Sequence, residues 1–228
     1  MKYQEDLRGV DWARTDRRFV DLRRYDLMGA HLERAYLQHA KGTEANFSHV
    51  QAEYSHWEHA TLRLADFRRA NLYGADMSRV NLMGADLRNA DLSHVAFNHA
   101  NLRNADLRGA RLRGASFATA HLEGARFSAY GIRRKSAGEI ARHILAHKNQ
   151  LNMDTWHDYN FRATGETCGT SHCAWGWAVV LHGKKGVELE VEIGITAAGA
   201  VLFPAFAEHV YKSNQTALKY LEELAQQP

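Results

Sequence analysis

A period of five residues constrains this chain more than any other feature. From position 20 to 125, every fifth residue gives 22 positions, of which 16 are Ala and four are Val, and only Tyr25 and Ser55 depart. Two residues later, from Leu22 to Phe127, a second column holds 13 Leu, five Phe, Met77 and Trp57, and only Gly42 and Ala52 lack bulk. The frame does not slip. Weaker copies run back through Val10, Trp12, Glu5 and Leu7, and Arg17 in a core slot marks a frayed or capped start. Five residues match neither the 3.6 period of a helix nor the 2.0 period of a strand, so something turns every five residues.

If each pentapeptide forms one side of a square coil, the small residue and the bulky residue point inward and the other three point out. Four such sides close a coil of about 20 residues, and stacked coils pair their N–H and C=O groups at roughly 4.8 Å. The expected architecture is a β-solenoid of about six coils, some 30 Å long. A narrow lumen packed to crystal-like density has room for one bulky side chain per side, which is why Ala accompanies Leu.

Segments such as Ala85-Asp86-Leu87-Arg88-Asn89, Ala105-Asp106-Leu107-Arg108-Gly109 and Ala70-Asn71-Leu72-Tyr73-Gly74 resemble the pentapeptide-repeat family pattern A-(D/N)-L-x-x. The resemblance covers residues 5–129 and implies that family's fold, a right-handed quadrilateral β-helix. It does not bring a biochemical activity, because one fold hosts many functions.

One coil departs from the pattern. Residues ten apart face each other across the lumen, so Gly42 opposes Ala52 and Phe47 opposes Trp57. The two empty slots are filled by two oversized rings in a volume-conserving repack, or the coil holds a bulge or pocket.

Positions 20 apart stack into surface rows. One row runs Asp6, Asp26, Asn46, Asp66, Asp86, Asp106, Arg126, and two residues further along lie Arg68, Arg88 and Arg108. Like charges at strand spacing repel, so these carboxylates need cations beside them. Asp26, Asp66, Asp86, Asp106, Arg68, Arg88 and Arg108 are accordingly a candidate interaction surface, either as a self-compensating ladder or as an acidic face imitating phosphates. A second pair of rows holds His39, His59, Arg79, His99 and Tyr36, His56, Asp76, residue types able to bind metal or to sense pH.

The expected domains are 1–130 for the repeat, 131–135 for a cationic linker, and 136–228 for an α-rich domain. Ser136 and Glu139 form a capping-box pattern ahead of Ile140, Ile144 and Leu145, which predicts a helix of about 14 residues. A helix from Ser171 to about His182, a strand over 187–195 and a last helix after Ser213 follow. A covering element at the open last coil would prevent end-to-end association. The densest constellation is His157, Cys168, His172 and Cys173 among Trp156, Trp175 and Trp177. It reads as a packed junction, as a zinc site lacking the usual paired spacing, or as a thiol nucleophile at a helix N-terminus.

The chain has 29 basic and 26 acidic residues, finely interspersed, so no polyanion or polybasic tail steers it toward nucleic acid. Direct nucleic-acid binding is not expected, nor is a cofactor. No leader-like or membrane-spanning run occurs, which fits a cytoplasmic protein without a membrane partner. The expected function is a non-enzymatic protein-interaction scaffold with a C-terminal capping or partner-binding module, working on an unidentified protein partner. The resemblance to gyrase-protecting quinolone-resistance pentapeptide proteins implies an alternative, a DNA-mimicking topoisomerase binder, and a homodimer formed through the C-terminal domain. A thiol enzyme using Cys168 is a third reading.

Overall fold

The computed structural model describes residues 5–128, 137–146, 198, 201 and 214–226. The 131–135 linker, the 171–182 helix, the 187–195 strand and the His157, Cys168, His172 and Cys173 cluster lie outside them. The chain divides into two compact units, Met1–Ser128 and Ala129–Pro228.

The first unit is a solenoid of parallel coils. Single-residue bridges join each pentapeptide to the one 20 residues on, from Asp6↔Asp26 to Asn101↔His121. At the C-terminal end they widen into a two-residue pair, β1 (Asp106–Leu107) with β2 (Arg126–Phe127).

Within one pentapeptide every backbone N–H has a partner, and residues 85–89 show how. Ala85 N–H closes a turn onto Leu82 C=O (3.0 Å), and Asp86 N–H reaches back to Ala65 C=O (3.0 Å). Leu87 and Asn89 N–H reach forward to Asp106 C=O (2.8 Å) and Arg108 C=O (3.1 Å). The fifth donor, Arg88 N–H, is satisfied by a side chain, Asp86 Oδ1 at 3.1 Å. A coil without helix or wide sheet thus meets the demand that backbone polar groups be paired, and Asp or Asn before the Leu is part of that solution.

The turn itself needs a left-handed residue. Every fifth position from Gly9 to Gly124 has φ between +56° and +74°, and most of these are not glycine. Each such L-residue costs about 1–2 kcal/mol, and it persists because the rung bonds on both sides overdetermine the backbone.

The lumen is filled by the two inward columns, with Leu27, Leu32, Leu62, Leu72, Leu87 and Leu92 fully buried beside Ala30, Ala35, Ala65 and Ala90. In the irregular coil, the Phe47 ring lies against Gly42, where an added Cβ would sit 3.0 Å from it. Phe47 meets Trp57 edge-on at 5.4 Å and stacks on Phe67 at 4.8 Å. All are fully buried, so this coil is a repacked core. Ser55, one of the two departures from the Ala/Val column, belongs to the same repack. Its hydroxyl accepts from the Trp57 indole N–H (2.7 Å) and donates to Ala52 C=O (2.5 Å).

The first coil is looser. Leu7, Val10, Trp12 and Val20 are only half-buried, and the Arg17 guanidinium lies over the Trp12 ring at 4.5 Å. The cation occupies a lumen slot that no further coil covers among the described residues, where a cation–π contact replaces aliphatic packing.

In the second unit, α1 (Ala137–Ala146) packs against α2 (Asn214–Ala225). Ile140 and Ala141 of the first and Leu221 and Leu224 of the second are buried. Arg142 Nη1 donates to the Ala225 carbonyl at 2.9 Å, satisfying one of the acceptors that a helix C-terminus leaves open. No helix among the described residues is long and apolar enough to cross a membrane.

Candidate functional site

The Asp and Arg rows form one face of the solenoid, and their chemistry begins in the backbone. Because Asp Oδ1 caps the N–H two residues on, the side chain of that next residue starts beside the carboxylate. Where it is Arg, a fork closes. Arg88 Nε and Nη2 reach Asp86 Oδ1 and Oδ2 at 2.8 and 2.6 Å, and Arg108 repeats this on Asp106 at 2.8 and 2.6 Å. Arg68 does the same on Asp66 at 2.9 and 2.6 Å. Two of the guanidiniums also approach the next coil's carboxylate, Arg68 to Asp86 at 3.8 Å and Arg88 to Asp106 at 3.9 Å. Arg126 closes the row on Asp106 at 3.5 Å.

The charges are therefore bound to one another. Partial burial pushes the Asp86 pKa up, but the side-chain and backbone bonds from Arg88, with the charges of Arg88 and Arg68, together outweigh it and leave the carboxyl below its ordinary value. The Asp86 carboxylate in turn holds the Arg88 guanidinium above its ordinary range. The Arg108 fork likewise lowers Asp106. Asp26 departs from this pattern: its Oδ1 accepts from Met28 N–H (3.1 Å) and from the Asn46 amide (2.7 Å), with no arginine two residues on. A face that imitated phosphates would need carboxylates pointing outward without counter-charges, and from Asp66 to Asp106 every carboxylate here is forked by its own arginine.

The imidazole rows form stacks. Phe19, His39 and His59 lie parallel at centroid separations of 4.9 and 5.1 Å, and Tyr36 lies over His56 at 5.1 Å. The first row is interrupted by Arg79, and His99 Nδ1 pairs with the Thr119 hydroxyl at 2.8 Å. No group of three or more His, Cys, Asp or Glu side chains that could hold a metal ion occurs among the described residues.

Sequence reasoning missed the role of the Asp and Asn side chains as backbone acceptors. The signal was their recurrence one residue before the bulky column, where Asp or Asn precedes eight of the 13 Leu although the position faces solvent.

The family comparison agrees with this geometry. A pentapeptide repeat region matches residues 50–127, and a pentapeptide repeats pattern of 8 copies matches residues 21–53. The chain therefore carries a pentapeptide-repeat segment, and the coils are those of a right-handed β-helix. Among solved structures, one similar protein is HetL from the cyanobacterium Nostoc sp. strain PCC 7120, a pentapeptide repeat protein involved in heterocyst differentiation regulation. The two are 28% identical over 54% of this chain and 64% of HetL, with a TM-score of 0.29. Another is Rfr23 from the cyanobacterium Cyanothece 51142, 29% identical over 45% of this chain and 60% of Rfr23, with a TM-score of 0.28. QnrB1, a plasmid-mediated fluoroquinolone resistance protein, is 19% identical over 53% of this chain and 69% of its own, with a TM-score of 0.39. The chain spans under two thirds of the length of HetL and of Rfr23. A comparison with curated proteins finds no match.

Proposed function

We propose that this protein is a non-enzymatic protein-interaction scaffold whose solenoid binds a protein partner through the Asp/Arg face, with the unit Ala129–Pro228 as a partner-binding module. The observation that carries this reading is the continuity of the ladder, in which Arg68, Arg88 and Arg108 are each clamped by their own Asp, and Arg68 and Arg88 are also drawn toward the next. Long charged side chains usually lose rotamer freedom when a partner docks. Here the forks have already fixed them, so less entropy is lost on binding. The guanidiniums keep further N–H groups for a partner's carboxylates or carbonyls.

A photo-crosslinking residue placed in turn on each of the four faces, in the native cell, tests this. Crosslinks concentrated at positions 69 and 89, beside the ladder, are the expected outcome. Crosslinks confined to another face would refute the assignment of the Asp/Arg surface. No crosslinked protein at any solenoid position would refute the scaffold itself.

A further inference from the structure

Of the two residues that break the Ala/Val column, Ser55 is explained by the buried Trp57, and Tyr25 is the other. A phenol is far larger than the Ala, Val or Ser side chains that the column holds elsewhere, and Tyr25 is only half-buried. It lines a pocket of about 470 Å³ with Asp21, Arg23, Arg24, Thr43 and Glu44. That volume lies in the range of small-molecule sites.

The polar lining carries two guanidiniums and two carboxylates, and the two pairs differ. Arg23 is clamped on Asp21 by Nε at 2.9 Å and Nη2 at 2.5 Å. Arg24 Nε lies 3.7 Å from Glu44 Oε2 of the next coil, a far looser pair. An exposed pair at that distance is worth at most about 1 kcal/mol and is easily opened. Opening it offers one cation and one anion side by side beside an aromatic ring. A lone anion would satisfy Arg24 and leave Glu44 repelling it, and a lone cation would have the converse problem.

We propose that the Tyr25 pocket binds a small zwitterion of the amino-acid type. Its carboxylate pairs with the Arg24 guanidinium, its ammonium with Glu44, and its side chain lies against the Tyr25 ring. Arg23, held in place by Asp21, is a fixed part of the lining. The site occupies the first two coils and stands independently of the scaffold reading. The column residue that the fold disfavours is the one that lines the concavity, which is where a local departure from the folding pattern marks a functional position.

The test is a set of titrations of the full chain with free amino acids, one at a time at millimolar concentration, followed by NMR shifts of Arg24, Tyr25 and Glu44. At least one amino acid should saturate these shifts. Its N-acetylated, C-amidated derivative, which has the same side chain without the charges, should bind at least about tenfold more weakly, as loss of charge-assisted bonds requires. Tyr25→Ala restores the column residue of the repeat, so it should keep or raise thermal stability while abolishing binding. Arg24→Gln, at an exposed position, should also weaken binding at least about tenfold. Three results would overturn the proposal: no amino acid saturating the site, equal binding by the charge-blocked derivative, or unchanged binding in Arg24→Gln. A Tyr25→Ala protein with an unfolded first coil would also overturn it, by making Tyr25 an end plug of the lumen.

Discussion

The carboxylate of Asp86 holds Arg88 twice, through the backbone N–H at 3.1 Å and through the guanidinium at 2.8 and 2.6 Å. The two bonds differ in kind. The first satisfies a donor that the coil leaves over, whereas the second is an ion pair at the surface. Asp86→Ala should destabilise the solenoid by about 1–3 kcal/mol, because it strands the N–H. Asp86→Asn keeps that acceptor and should cost under about 1 kcal/mol, as should Arg88→Ala. Urea denaturation of the three variants distinguishes them, and equal losses for Ala and Asn would mean that the ion pair dominates.

The same rule can be run in reverse. Ala96 occupies an Asp/Asn position, and an alanine side chain cannot cap the N–H of Asn98. Ala96→Asn supplies the acceptor without adding a negative charge next to Asp76, and a gain of about 1 kcal/mol in unfolding free energy is expected. A loss would show that the bond depends on context beyond the pentapeptide.

Ser55→Ala makes the sequence more regular and should make the protein less stable. It leaves the fully buried Trp57 indole N–H without an acceptor, at a cost of about 1–3 kcal/mol. A Tm equal to that of the parent chain would mean that Ser55 does not break the column to serve the indole.

The first coil should be acid-labile. Arg8, Arg18 and Arg23, through side-chain and then backbone bonds, lower the pKa values of Asp6, Asp16 and Asp21 from 3.8 to about 2. A carboxylate depressed in the folded state stabilises that state above its unfolded pKa, and the contribution is lost as pH falls from there through the folded value. Hydrogen-exchange protection at Leu22 should therefore fall between pH 3.8 and about 2. Carboxylate titrations by NMR with midpoints near 3.8 would contradict the forks.

Gly74 has φ +67° and lies under the Tyr54 ring, where an added Cβ would meet ring carbons at 2.8 Å. Gly9, with φ +65°, has open space around it. Gly9→Ala should cost only the backbone penalty, about 1 kcal/mol, and Gly74→Ala should cost more because Tyr54 must move. Equal losses would show that the Tyr54 ring yields freely.

The five-residue columns were enough to specify the solenoid, its lumen and its surface rows, because a strict period leaves one direction for each position. Pairing by 20 residues followed from the same arithmetic, which also marked the Gly42 and Ala52 gap but left open whether Phe47 and Trp57 repack it or a pocket forms there. What the sequence left open was decided by bonds between positions. Whether the Asp row was free charge or closed forks depended on where Oδ1 was already committed, and the left-handed turns that aim Arg88 at Asp86 carry no single residue type. Tyr25 was visible as a departure, but its pocket exists only because the second coil brings Thr43 and Glu44 beside Asp21 and Arg24. A periodic sequence dictates what faces inward through burial, which each residue meets individually. The surface geometry is cooperative, set by neighbours 20 residues away, and only the stacked coils define it.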